Sequence, residues 1–264
     1  RSRDGLSSEY TLSYAGVVPH YNHSELFRGF LPDLLECGLP LIVVDDGSVP
    51  EQIAALRDLI KTHASDSREL VLVEQTPNQG KGAALLAGAR EARIRGHTHI
   101  LQIDADGQHD ARQIPQFVDV SRRHPQALVS GMPVFSDDAP RSRVLGRRVT
   151  DFFVALETLS LNIRDSLCGF RIYPLAELEQ VAGRHTLARG MGIDTDLMVK
   201  SAWEGVAIRF IETPVYYRED GVSHFRYLRD NLRLILLHTG LLFGTLVRIP
   251  ALLRRRQTIS PESP

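Results

Sequence analysis

Apolar, β-branched runs at residues 14–18, 41–44, 70–73, 99–103 and 127–130 set the rhythm of the first half of the chain. Each has the length of a strand, and the first four recur about every 28 residues with helical patterns between them. One such pattern places Ile53, Leu56, Leu59 and Ile60 on a single helical face. It opens Ser48-Val49-Pro50-Glu51, a spacing that predicts a capping box with proline in the first turn. Another, after Gly82, carries Ala83, Ala84, Ala87, Ala89 and Ala92 and is a strong helix former. The alternation predicts right-handed βαβ units, hence an α/β fold with a mostly parallel, Rossmann-like central sheet flanked by helices. Beyond about residue 135 it fades: residues 142–162 and 191–204 read as helix and 207–217 as strand, with Trp203 in the core.

Ligands of such sheets bind beyond the carboxyl ends of the strands, and there the polar residues gather. The loops are Pro19-His20-Tyr21-Asn22, Asp45-Asp46-Gly47-Ser48, Asn78-Gln79-Gly80-Lys81-Gly82 and Asp104-Ala105-Asp106-Gly107-Gln108. In extended chain, alternation puts Asp104, Asp106 and Gln108 on one side. Three oxygen donors at a strand end suit a hard cation, Mg2+ or Mn2+, completed by water and phosphate. A turn built from ordinary loop residues is the alternative. The Lys81 loop is not a Walker A loop, since no Ser or Thr follows the lysine; it either brings a cation near a nucleotide or starts a helix.

Composition narrows the partners. The chain of 264 residues is 43% hydrophobic and 24% charged, ordinary for a globular protein, and its net charge of -1 gives no field for nucleic acid. Two cysteines, Cys37 and Cys168, fit a reducing compartment better than a disulfide framework. No N-terminal apolar run resembles a signal peptide. Between residues 226 and 256, seven arginines stand against one acid, Asp230, and flank fourteen uncharged residues, 234–247. That apolar stretch is too short to span a bilayer, which takes about 20 residues. It reads as an amphipathic helix on an anionic membrane surface, or as a core helix with a basic tail. Residues 257–264 read as a disordered tail.

The ordered set Val18-Pro19-x-Tyr21-Asn22, Val43-Val44-Asp45-Asp46-Gly47-Ser48, Asn78-x-Gly80-Lys81-Gly82 and Asp104-Ala105-Asp106-Gly107-Gln108 resembles family 2 glycosyltransferases. Cys168-Gly169-Phe170-Arg171 and Pro214-Val215-Tyr216-Tyr217-Arg218 with Ser223-His224 extend the likeness toward the dolichyl-phosphate mannosyltransferase-like branch. The segments around 160–171 and 223–231 are also similar to glycosyltransferases of bacterial aryl-polyene and related lipid loci. The resemblance implies a GT-A domain, over residues 10–225, and the basic stretch at 226–256 after it reads by its own pattern as a membrane-associating helix. The resemblance also implies a UDP- or GDP-linked sugar as donor and a lipid-linked or amphipathic acceptor, at the cytoplasmic face of the cell membrane. By the same resemblance Pro19, Tyr21, Val44, Asp46, Lys81, Asp104, Ala105, Asp106, Arg218 and His224 are nucleotide-sugar positions, and Asp104, Asp106 and Gln108 seat the metal. Two positions depart from the branch: His23 stands where Glu is usual, and Gly131-Met132-Pro133 ends in proline instead of arginine.

Transfer with inversion, also carried from the family, sets the remaining need. A phosphate acceptor requires little base; a hydroxyl acceptor requires a carboxylate. Asp194 and Asp196, at the start of the 191–204 helix, and Asp165 are the candidates. Each has a structural alternative: an Asp at a helix start caps backbone N–H groups, and Asp165 is placed to pair with Arg164 or Arg171. His20, His109 and Cys168 read as loop or packing residues. A sugar nucleotidyltransferase and a non-catalytic nucleotide-sugar-binding module are the rival functions.

Overall fold

A computed structural model describes residues 11–65, 69–134, 141–215 and 227–254. Strands β1 (Tyr14–His20), β2 (Leu41–Asp46), β3 (Leu70–Gln75), β4 (His99–Gln102), β5 (Leu128–Val134), β6 (Arg171–Pro174) and β7 (Ile208–Pro214) form one sheet in the order β3-β2-β1-β4-β6-β5-β7. The pairs β1–β2, β2–β3, β1–β4 and β5–β7 are parallel, whereas β6 runs antiparallel to both of its neighbours. Helices α1 (Ser24–Glu36), α2 (Pro50–His63), α3 (Lys81–Ile94), α4 (Ile114–Arg123), α5 (Arg141–Thr158), α6 (Leu175–Arg184), α7 (Ile193–Glu204), α8 (Tyr227–Leu246) and α9 (Ile249–Arg254) complete the described elements.

The strands are apolar throughout because both faces of the sheet are covered. Ala15, Val17, Ile42, Val44 and Ile100 join a core with α3, α6 and α7 on one face. Val18, Leu41, Val43 and Leu101 join a second core with α1, α2 and α4 on the other. The alanines of α3 let it lie close on the sheet. A Cβ at Gly88 would stand 3.1 Å from Val44 Cγ2 and still nearer Val17, so the helix rests directly on β1 and β2.

The expected βαβ order holds through β4, and the second half differs in instructive ways. The four-residue β6 is too short for a periodicity to register, and α6 follows it immediately. The predicted capping box does not form. Helix α2 starts with Val49 as its N-cap and Pro50 in the first turn, while the Ser48 hydroxyl donates to Asp45 and accepts from the Asn22 amide instead of from its own helix. The basic C-terminal stretch is two helices, α8 and α9, instead of one. One side of α8 is core: Leu241 is buried, and His238 bonds the buried Glu157 of α5 at 2.7 Å. Its other side exposes Leu232, Ile235, Leu236, Phe243 and Leu246. The expected tail at 257–264 lies outside the described residues.

Candidate active site

Two polar loops are tied together before any ligand need arrive. The Asn22 amide donates to Ser48 Oγ at 2.8 Å, and Asn22 Oδ1 accepts from the Val49 amide at 2.9 Å. Asn22 adopts φ 54, a left-handed conformation that asparagine tolerates. Beneath it, buried Asp45 accepts from His20 Nδ1 and from the Ser48 amide, both at 2.9 Å. Burial works to raise its pKa, but these bonds outweigh burial and hold Asp45 below the usual carboxylate range.

Asp46 differs from its sequence role. Its two oxygens accept from the amides of Gln79 (2.8 Å) and Gly80 (2.7 Å), so in this state it braces the loop that leads into α3. Val44 and Ala105 are buried members of the two hydrophobic cores. Pro19, the penultimate residue of β1, and Tyr21, on the loop after that strand, are half-buried. Arg218 and His224 lie outside the described residues.

The acidic loop after β4 is a turn, not extended chain. The strand ends at Gln102, and the Asp106 carboxylate accepts from the Gln108 amide at 3.0 Å across Gly107, whose φ is 69. Strand alternation therefore does not set the directions of Asp104, Asp106 and Gln108. Burial, and then the neighbouring Asp104 charge, push Asp106 up to about 6. Two carboxylates crowded in this way favour a cation. Among the described residues no group of three or more His, Cys, Asp or Glu side chains is disposed to hold a metal. The crowded pair Asp104 and Asp106 suits at most an ion such as Mg2+ or Mn2+ that takes one or two carboxylates and leaves most of its shell to water and phosphate.

Lys81 is the centre of the site: it is the first residue of α3, as one of its two readings has it, and its side chain meets the acidic loop. Its ammonium lies 2.7 Å from Asp104 Oδ1 and 2.9 Å from both Asp104 Oδ2 and Asp194 Oδ2. A positive charge opposes the dipole at a helix start; the two carboxylates offset it. Burial would lower the Lys81 pKa, yet Asp104 and Asp194 raise it above the ordinary value, so the amine is charged. Gly169 makes the meeting sterically feasible. A Cβ there would stand 2.9 Å from both Asp104 Cγ and Lys81 Nζ, and nearer still to Asp104 Oδ2.

The candidate bases are all engaged. Asp194 gives Oδ2 to Lys81 and accepts from Gln102 Nε2 on Oδ1 at 2.8 Å. Asp196 accepts from the Ala188 amide at 2.7 Å and pairs with Lys200 one turn on. Asp165 accepts on Oδ1 from the amides of Leu167 and Cys168, and on Oδ2 from Arg147, not from Arg164 or Arg171. Arg171 is buried and donates to the carbonyls of Asp194 (2.6 Å) and Ser166 (2.8 Å). Gln102 and Arg171 face each other across β4 and β6, so one strand pair holds Asp194 by side chain and by backbone. Gln102 and Arg147 escaped the sequence reading; the only signal for Gln102 was an amide ending an apolar strand. His109 packs against Phe170, and burial pushes its imidazole down to about 4, consistent with a packing residue. Burial likewise pushes the Cys168 thiol up to about 12.

Known proteins resemble the chain in sequence and in fold. Undecaprenyl-phosphate mannosyltransferase of Micrococcus luteus is 26% identical over 215 residues, 77% of this chain and 82% of that protein. Polyprenol monophosphomannose synthase of Mycolicibacterium smegmatis is 28% identical over 222 residues, 78% of each chain. Among solved structures, the TarS 1-349 complex of S. aureus with UDP-GlcNAc superposes with a TM-score of 0.59 at 15% identity, covering 94% of this chain and 74% of that one. The mannosyltransferase PcManGT of Pyrobaculum calidifontis, in complex with GDP-Man and Mn2+, gives 0.55 at 21% identity, covering 91% and 65%. These two neighbours share the GT-A fold with the chain. The Glycosyl transferase family 2 model matches residues 17–181, across the loops that meet at Lys81, and the chain is a glycosyltransferase belonging to that family.

Proposed function

We propose that the protein transfers a sugar, with inversion, from a UDP- or GDP-linked donor to a phosphate carried on a lipid. The observation that carries this reading is the state of the candidate bases: every carboxylate oxygen of Asp194 and Asp165 already accepts from a protein donor. A hydroxyl acceptor would need one of them free to take its proton, whereas a phosphate arrives as the anion. In the reaction the bond from the anomeric carbon to the nucleotide phosphate breaks. A bond to an acceptor phosphate oxygen forms, and the nucleoside diphosphate leaves with the electron pair. The relatives named for undecaprenyl-phosphate and polyprenol substrates support this acceptor class, and the neighbour holding GDP-Man and Mn2+ supports the donor class.

Asp104, Asp106 and Gln108 would hold Mg2+ or Mn2+, and a dication there stabilises charge on the departing diphosphate. Lys81 supplies a second positive charge beside Asp104, and Arg218 and His224, from the family likeness, would contact phosphate. The apolar faces of α5 and α8 support work at a membrane surface. Leu145, Val149, Phe152 and Leu156 form an exposed stripe at helical spacing on α5, beside the exposed face of α8. Among the described residues no helix is long and apolar enough to cross a membrane, so the proposed contact is interfacial. We place it at the cytoplasmic face, where anionic lipid attracts the basic residues of 226–256.

The test offers labelled GDP-mannose and UDP-sugars, with Mn2+, to the purified chain in detergent with a polyprenyl phosphate or the matching polyprenol. Label in the lipid phase with the phosphate acceptor alone is the expected result. Equal transfer to the alcohol would refute the phosphate assignment, and formation of sugar nucleotide from sugar phosphate and nucleoside triphosphate would favour the nucleotidyltransferase. For the surface, Phe152→Asp with Phe243→Asp should release the folded protein from anionic vesicles. Undiminished sedimentation with vesicles would refute that part.

A further inference from the structure

The Lys81 ammonium contacts both oxygens of Asp104, one of the two carboxylates that the metal reading assigns to a dication. At a metal–oxygen distance of about 2.1 Å, an ion sharing those oxygens would sit within about 5 Å of the ammonium. Charges of +1 and +2 at that range repel strongly even where the effective dielectric is high. Lys81 also has a second berth. Asp194 Oδ2 accepts from it at 2.9 Å, Gln102 fixes the other Asp194 oxygen, and Arg171 fixes the Asp194 backbone. The ammonium can therefore release Asp104 and remain bound to Asp194.

We infer that Lys81 is the resident cation of Asp104 in the nucleotide-free protein, and that it makes dication binding conditional on an arriving nucleoside diphosphate. The inference rests on the metal-dependent reading of the preceding section. A diphosphate brings the negative charge that lets a dication and the ammonium coexist, so metal and nucleotide bind with mutual positive coupling. Asp194 is then a positioning residue: it keeps the displaced ammonium beside the diphosphate and takes no proton. This assignment also accounts for an acid at the helix start whose oxygens face Lys81 and Gln102 instead of capping amides.

The experiment measures Mn2+ binding to the full chain by electron paramagnetic resonance of the free ion, without nucleotide, with GDP and with UDP. Wild type should bind Mn2+ weakly alone and at least about tenfold more tightly with one of the nucleotides. Lys81→Met should bind Mn2+ alone at least about tenfold more tightly than wild type, and its gain on adding nucleotide should shrink. A variant damaged in folding loses metal; only release of Asp104 predicts a gain. Lys81→Gln carries the same comparison should the methionine variant not melt cooperatively. Asp194→Asn, which leaves the ammonium to Asp104 alone, should bind Mn2+ without nucleotide no better than wild type. Equal or weaker nucleotide-free binding in both Lys81 variants overturns the inference, while wild type that takes up Mn2+ with GDP or UDP keeps the metal reading. Wild type that takes up no Mn2+ with either nucleotide overturns the metal reading itself, and the inference with it.

Discussion

Gly169→Ala isolates the site from the stability of the fold. The new carbon would stand 2.9 Å from Asp104 Cγ and from Lys81 Nζ, and nearer still to Asp104 Oδ2. Carbon contacts settle at about 3.5–4.0 Å, so the acid and the amine must retreat by about 0.6–1 Å. Both obstructing groups are ends of side chains that can swing, and Gly169 does not occupy the left-handed region, so alanine adds no backbone strain. The stability cost therefore falls at the lower end of overpacking, about 1 kcal/mol. For a chain of this size that is about 2–4 °C in Tm. The catalytic cost is larger, because displacing reacting groups by about 1 Å lowers rates by about 100-fold. Nucleoside diphosphate release from the donor, followed beside a thermal melt, separates the two. A variant with activity within about threefold of wild type would refute the placement of Asp104 and Lys81 against Gly169.

Gly82→Ala should behave in the opposite way. Its Cβ would meet backbone, 3.0 Å from Arg189 C and closer to the Ala188 carbonyl, so calorimetry should show a loss of about 2–3 kcal/mol. His238→Ala removes the partner of the fully buried Glu157, and urea unfolding should register a loss of about 3–5 kcal/mol. Asp151, pushed up to about 7 first by burial and then by Asp165, holds a proton in the folded state that the unfolded chain, at 3.8, releases. Its contribution to stability is therefore present below about pH 4 and is lost as pH rises toward about 7. Melting of Asp151→Asn across pH 4–8 should lack that decline, and an unchanged slope would show that Asp151 is not the group responsible.

The donor half was legible because its physics is local. Buried parallel strands write themselves as apolar runs, and the polar loops at their ends stand out by contrast. Asp104, Asp106 and Lys81 were visible for that reason. Their mutual contacts were not, since Lys81 reaches Asp104 and Asp194 across 23 and 113 positions. Ser48 shows how a local rule yields to tertiary partners: its spacing to Glu51 satisfies the capping pattern, yet its oxygen accepts from the Asn22 amide and its proton goes to Asp45. The surroundings of the candidate bases were hidden similarly. An Asp at a helix start reads the same whether its oxygens are free or held, and only the fold brings Gln102 and Lys81 to Asp194. Strand β6 was missed because four residues carry too little periodicity, and its direction depends on neighbours remote in sequence.

The reversed direction of β6 has a consequence for how such proteins diversify. In a wholly parallel sheet, only chain leaving a strand reaches the binding rim; here chain entering β6 arrives there too, so Gly169 and Asp165 stand opposite the exit of β4. The mouth of the enzyme is thus assembled from two stretches about 60 residues apart that meet along one short antiparallel ladder. Insertions or deletions between β5 and β6 can remodel what approaches the donor while the register of β1 through β4 stays as it is. The ladder acts as a seam, along which one side of the reaction can be exchanged without retuning the other.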